Sequence, residues 1–187
     1  MSETIKQKSL RVCIINTSTN GLHTAYGIVS KKNLYGIGRL IMVEYLIGHY
    51  IDGKFVQEKK EKFLLKPDTI NYHPDAQKIH KITMEKAHKK GRSNVYIMNK
   101  LKDDLKNVSI IIGHNLKFHI KALQAECFRS CVQIFFNNYT LVDTGTYNLE
   151  DKYISYEDLK NKYNIDSNKK LRVLKKAFYK LYEEFNG

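Results

Sequence analysis

The sequence predicts an α/β domain, residues 10–187, built on a mixed sheet of five strands flanked by helices. Two observations lead to this class. Three strand-like runs come first along the chain, and two shorter apolar strands then alternate with segments of helical character. This order is typical of an α/β domain with a mixed sheet. Residues 1–9 are polar and charged and are expected to form an N-terminal extension.

The strands are expected at residues 10–15, 40–51, 55–65, 108–112 and 140–142. The first and the fourth are short apolar runs, as buried strands are. A glycine-containing loop separates the first two strands. Asp52-Gly53 is a strong hairpin signal between the second and third strands, and Pro67 ends the third.

Four helices are expected, at residues 94–105, 116–127, 155–163 and 171–185. The first, second and fourth carry apolar residues three or four positions apart, which is the spacing of one buried helix face. Ser93 is the expected N-cap of the first helix. Ser155 and Asp158 form a capping-box variant at the start of the third.

The charge balance points to polyanionic partners. The chain has 32 Lys and Arg against 19 Asp and Glu, a net charge of +13 at pH 7. Nucleic acid is the first expected partner and an anionic membrane surface the second. The alternative is a solvated, lysine-rich surface produced by AT-rich codon usage. No apolar run approaches the roughly 20 residues that span a bilayer, so a membrane protein is not expected.

The chain has three cysteines, Cys13, Cys127 and Cys131. An odd number, with a polar start and no secretory signal, favours reduced thiols and an intracellular, cytoplasmic or nuclear location. Cys127 and Cys131 could form a zinc site with His114 and His119, but their spacing matches no structural zinc motif. Neither a metal nor a cofactor is therefore expected.

Five short motifs follow one another in the order of the expected elements. They are N-T-S-T-N-G-L at 16–22, I-M-V-E-Y-L-I-G at 41–48, I-H-K-I-T at 79–83, G-H-N-L-K-F-H at 113–119 and V-D-T at 142–144. The series resembles the DEDDh 3′–5′ exonucleases, the DnaQ-like family of the ribonuclease H-like superfamily that includes DNA polymerase III epsilon. The family's versions are D-x-E-T-T-G-L, I-x-E-I-G, I-H-G-I-T, G-H-N-x-x-F-D and V-D-T. The resemblance covers residues 10–185.

The resemblance implies a ribonuclease H-like fold. Active members hydrolyse a phosphodiester bond with two divalent metal ions held by carboxylates and a histidine as general base. This chain departs from that pattern, because Asn16 and Ser18 replace the first two carboxylates and His119 replaces the third. In the best register of the last motif, H-x-x-x-x-D, Leu171 replaces the histidine and Lys176 the last carboxylate. A shift by one places lysine at both positions.

Without these four carboxylates, the cleft is expected to contact phosphate directly instead of through metal ions. The expected nucleic-acid-binding residues are Asn16, Ser18, Lys117, His119, Lys121, Lys169, Lys170, Arg172 and Lys176. For the lysines, the alternative is a solvated helix face. The loop 23–39 mixes Lys31, Lys32 and Arg39 with Tyr35, as single-strand binders do, but a plain surface insertion explains it too.

The expected function is therefore that of a catalytically inactive, exonuclease-like protein. It would bind nucleic acid as an accessory factor in replication, repair or transcription. One alternative is a protein-interaction subunit that uses the fold as a scaffold. A second alternative is a residual exonuclease that uses Glu44 or Asp143, although two acids are too few for a paired-metal centre.

Overall fold

The structure, a computed structural model, describes residues 10–51, 54–67, 71–146 and 152–186. The expected N-terminal extension and the Asp52-Gly53 turn lie outside these ranges. No helix within them is long and apolar enough to cross a membrane.

The sheet has five strands, in the order β3-β2-β1-β4-β5. They are β1 (Leu10–Thr19), β2 (Leu40–Ile51), β3 (Lys54–Leu64), β4 (Ile110–Gly113) and β5 (Thr140–Asp143). β2 pairs antiparallel with β1 and β3, whereas β4 pairs parallel with β1 and β5. The expected mixed sheet with flanking helices is confirmed. β1 is longer than expected, because its polar end, residues 16–19, stays paired with β2.

The helices are α1 (Pro74–His80), α2 (Met84–Lys90), α3 (Asn94–Asp104), α4 (Leu116–Ser130), α5 (Tyr156–Lys162) and α6 (Lys170–Asn186), with short 3₁₀ turns at Leu34–Gly36 and Phe136–Asn138. Ser93 caps α3, and Ser155 with Asp158 forms the expected capping box of α5. α1 and α2 were not expected from the sequence. They are short and begin at His73 and Thr83, whose side chains accept hydrogen bonds from backbone N–H groups.

The two faces of the sheet are covered by different helices, because successive side chains of a strand point to opposite sides. Cys13 and Ile15 pack with residues of α3 and α4. Val12 and Ile14 pack with residues of α5 and α6 on the other face. A smaller cluster joins Ile82 and Ala87, at α2, to the start of β2. The second face is therefore bounded by α6 at one end and by α1 and α2 at the other.

Candidate nucleic-acid interface

Three polar side chains form a row across the open part of this second face. The strand register places Asn16 beside Glu44 and Glu44 beside Lys62. The amide Nδ2 of Asn16 donates to Oε1 of Glu44 at 3.0 Å, and Nζ of Lys62 donates to Oε2 at 3.2 Å. The carboxylate of Glu44 is therefore held between an amide and an ammonium group. We call Asn16, Glu44 and Lys62 the floor row.

Lys170 is the first residue of α6. It lines two hollows in the protein surface, and Glu44 and Lys62 line both of them too. Burial lowers the pKa of its ammonium group, and the nearby carboxylate of Glu44 opposes that effect. Its Nζ lies 6.0 Å from the centre of the Tyr156 ring. A fourth polar group, and a second cation, thus faces the floor row.

In the register Leu171–Lys176, expected for the last motif, the first residue is mostly buried and the second is exposed. Leu171 is largely buried in the core with Val173 and Leu174, although part of it reaches the surface beside Lys170. The apolar stripe of α6 determines which residues turn inward, and it leaves Lys170 at the cleft. Lys170 and Lys175, the residues of the alternative register, line the hollow beside α6, as do Leu171 and Lys176.

Two solvent-accessible hollows meet at the floor row. The first, about 690 Å³, lies between the sheet and the α1–α2 segment, and its basic residues are Lys62, Lys81, Lys86, Lys90, Arg92 and Lys170. The second, about 750 Å³, lies between β3 and the start of α6, and its basic residues are Lys60, Lys62, Lys169, Lys170, Arg172, Lys175 and Lys176. Both contain Glu44, the one carboxylate among their described lining residues. We call the two hollows together the basic groove.

Six of the nine expected binding residues line this groove. They are Asn16, Ser18, Lys169, Lys170, Arg172 and Lys176. Lys117, exposed on α4, is not among the residues that line it. Lys121 is also elsewhere, because its Nζ donates to the carbonyl of Ala25 at 2.6 Å and so holds the loop after β1.

The expectation that His119 contacts phosphate is wrong for this structure. Its side chain is buried, with Nδ1 2.7 Å from the hydroxyl of Thr17 and Nε2 3.0 Å from the carbonyl of His114. Burial, followed by the charge of Lys170, lowers the pKa of His119 to about 4. The ring is therefore neutral at pH 7, and both nitrogens have partners within the protein.

The two acids of the residual-enzyme hypothesis are also engaged. Glu44 is held in the floor row, whereas Asp143 accepts hydrogen bonds from the backbone N–H groups of Asn115, Leu116 and Gly145 at 2.6 to 2.9 Å. Asp143 therefore caps the start of α4. A pair of divalent ions needs several oxygen ligands that are free to coordinate them. The two carboxylates, already engaged in hydrogen bonds, do not meet this need.

The residues considered for zinc are dispersed. The Cys127 thiol is buried 3.8 Å from the sulfur of Met98, and burial raises its pKa to about 12. Cys131 is exposed at the end of α4. Over the described ranges, no group of three or more His, Cys, Asp or Glu side chains is arranged to hold a metal ion.

Several basic residues of the groove were not among the expected binding residues. They are Lys60, Lys62, Lys81, Lys86, Lys90, Arg92 and Lys175, of which only Lys175 occurs in the alternative register of the last motif. Two patterns contain the signal: Lys86 and Lys90 are four apart, as on one helix face, and Lys60 and Lys62 are two apart, as on one strand face. The sequence could not show that these residues share one groove, because the groove is formed by three segments that are distant along the chain.

His80 lies on the wall of the first hollow. Its Nδ1 accepts a hydrogen bond from the N–H of Ile82, whereas its buried Nε2 makes no hydrogen bond within the described protein. Its ring packs edge-on against Tyr72. It helps to fix the turn between α1 and α2, with one nitrogen left unpaired.

The loop after β1 is anchored to α4 but presents apolar side chains to solvent. His23 stacks on Phe118 with ring centres 4.1 Å apart, and Arg129 donates to carbonyl groups of Leu34 and Ile37. Tyr26, Ile28 and Tyr35 are nevertheless 89%, 91% and 98% exposed. The loop is a fixed surface insertion with an apolar tip.

No protein-family model matches the chain, and neither does any curated protein. Solved structures do. Escherichia coli exonuclease I in complex with a dA16 oligonucleotide superposes with a TM-score of 0.69, at 17% identity, over 94% of this chain and 41% of that one. This chain therefore shares the ribonuclease H-like fold of exonuclease I. An ExoI/SSB-Ct complex also superposes, with a TM-score of 0.69 at 17% identity, over 96% of this chain and 42% of that one.

A moderately thermophilic exonuclease I from Methylocaldum szegediense also matches, with a TM-score of 0.69 and 13% identity, over 95% of this chain and 41% of that one. Identities this low establish the fold alone. The chain spans about two fifths of these exonucleases. The closer resemblance to the DnaQ type within this fold stays a prediction.

Proposed function

We propose that the protein is a non-catalytic relative of exonucleases that binds nucleic acid in its basic groove. It would act as an accessory factor in nucleic-acid processing. The observation that carries the proposal is the floor row with Lys170. Two ammonium groups and an amide surround a single carboxylate where the family resemblance implies four carboxylates and two metal ions.

Electrostatics argues against paired-metal catalysis at this place. A two-metal mechanism needs ligands that offset four positive charges. Glu44 already neutralises Lys62, and Lys170 adds a further positive charge nearby. Two divalent ions would be repelled by both ammonium groups and would have to displace the hydrogen bonds of Glu44.

The same charges favour a phosphate backbone. The six basic residues of the first hollow and the seven of the second share two, so eleven different cations face one carboxylate. Ammonium groups on flexible stems can follow a strand without reading its sequence.

Single strands are the first ligands to test, because a structural neighbour is a complex with a dA16 oligonucleotide. The assay incubates labelled single- and double-stranded DNA and RNA with Mg²⁺ or Mn²⁺ and, separately, measures binding at several salt concentrations. We expect intact substrates and binding that weakens steeply with salt. Each strand phosphate contact should contribute about 0.7 to the log–log salt slope.

A charge-removal variant tests whether the groove is the site. At about 0.1 M salt, one phosphate contact on a single strand contributes about fivefold to affinity, so Lys62→Ala with Lys170→Ala should weaken binding about 25-fold. The matched control is Lys102→Ala with Lys106→Ala, exposed near the end of α3, which packs on the opposite face. Melting curves establish that both variants fold. Metal-dependent degradation, or equal losses in both variants, would contradict the proposal.

A protein-interaction subunit is the second candidate function. It is favoured by the exposed Tyr26, Ile28 and Tyr35, since large apolar side chains gathered on one fixed loop mark contact surfaces. A neighbour of the same fold forms the ExoI/SSB-Ct complex. A pull-down from the native host, with and without nuclease, separates the two: partners that survive nuclease support the interaction subunit.

A further inference from the structure

We propose that the basic groove holds an internal segment of a single strand that passes across the floor row, so that binding needs no free end. This inference rests on the proposed function and adds the kind of ligand. A site that recognises a strand end needs cations only on the side from which the strand arrives. Here cations continue on both sides of Glu44, Lys62 and Lys170.

The first arm of the groove lies beside α2. Ala87 is buried against the start of β2, which fixes the orientation of this short helix. Lys86 and Lys90, one residue before and three after Ala87, both line the hollow, with Lys81 and Arg92 at either end of the helix. Backbone pairing of Arg92 with Leu65 holds the end of this wall next to the sheet.

The second arm leads in another direction, between the edge strand β3 and the start of α6. Lys60 lines it from the strand, and Lys175 and Lys176 line it from the helix. Nζ of Lys175 lies 5.8 Å from the centre of the Phe55 ring, so its charge is held near β3. Because β3 has no further strand beside it in the described sheet, this arm opens at the sheet edge.

The two arms are continuous, because Glu44, Lys62 and Lys170 line both. At this junction two ammonium groups accompany one carboxylate, so the net charge is positive. The junction therefore does not repel a phosphate backbone. A strand crossing it meets cations before, at and after the floor row. Successive phosphates can therefore be neutralised along both arms.

The decisive experiment compares a covalently closed circular single strand with a linear strand of the same sequence and length. Affinities are measured by competition against one labelled linear probe at fixed salt. We expect dissociation constants that agree within about twofold, as expected for a contact made to the backbone. A circle that binds tenfold or more weakly than the linear strand would overturn the inference and leave nucleic-acid binding itself standing.

Variants of each arm provide the second measurement. Lys86→Ala with Lys90→Ala removes two cations from the first arm, and Lys175→Ala with Lys176→Ala removes two from the second. Each pair should weaken binding of the circle about 25-fold and lower its salt slope by about 1.4, whereas Lys102→Ala with Lys106→Ala should change neither. Loss in only one arm would contradict a strand that spans both. If neither the circular nor the linear DNA bound at low salt, the proposed function would be overturned as well.

Discussion

Acidification should destabilise the protein through His119. In the folded chain burial lowers the pKa of this imidazole to about 4, whereas the pKa of an unperturbed histidine is about 6.5. Between these values the unfolded chain binds a proton that the folded chain does not bind. Stability is therefore fully present above the unfolded pKa and is lost as the pH falls toward 4. The difference of about 2.5 units corresponds to about 3 kcal/mol.

The assay is urea unfolding at several pH values between 7 and 4, for the parent and for His119→Gln. A glutamine amide stays neutral throughout, and it offers a donor and an acceptor for the partners of the imidazole, the carbonyl of His114 and the hydroxyl of Thr17. His23, His80 and His114 also have lowered pKa values, but they titrate in both proteins. The difference between the two curves therefore isolates His119.

We expect the parent to lose about 3 kcal/mol more than the variant between pH 7 and 4, a large share of the roughly 5–15 kcal/mol that stabilises a typical domain. Parallel curves would refute the assignment of His119 as a buried, neutral residue. The same burial makes His119 unsuitable for probing phosphate binding. A carboxylate placed there would be desolvated, and its effect on affinity could not be separated from its effect on folding.

Two further predictions concern the acids considered for a residual enzyme, Glu44 and Asp143. Glu44→Gln removes the carboxylate of the floor row and should tighten nucleic-acid binding about fivefold at low salt, measured by anisotropy; weaker binding would indicate that Glu44 positions Lys62 for the ligand. Asp143→Ala removes the acceptor of three backbone N–H groups and should lower stability by about 2–3 kcal/mol in urea unfolding. Its affinity should match the parent's, and loss of affinity in a folded Asp143→Ala protein would argue for a direct role in the cleft.

The sheet could be predicted from the sequence because its signals are local. The apolar run at residues 10–15 lies in β1, the run at 108–112 overlaps β4, and the long second run coincides with β2. α1 and α2 gave no such signal, because each has only seven residues and buries little apolar surface. Their existence depends on caps and on Ala87 packing against the start of β2, which is a tertiary effect.

The sequence could predict which types of residue form the candidate site, but not every residue that faces it. The motif resemblance placed Asn16 and Ser18 in the cleft, and the structure has both there. It could not distinguish His119, which is buried, from Lys170, which faces the groove, because the two differ in orientation and not in residue type. One-residue uncertainty in a helix rotates a side chain by about 100°, enough to exchange a core leucine for a cleft lysine.

The pairing of polar groups argues that the floor row is an organised site and not a decayed one. Random loss of metal ligands would leave buried polar atoms without partners, at a cost of about 1–3 kcal/mol each. Asn16 and His119 are both buried at positions where the resembling motifs have a carboxylate, yet each is hydrogen-bonded within the protein. In the described ranges, the buried side-chain atoms without partners belong to Tyr50, Tyr72, His80, Asn94 and Tyr156, none of which is a member of the floor row. Lys170 thus faces a floor row whose three members already hydrogen-bond to one another, and we expect its ammonium group to be the one that binds an external anion.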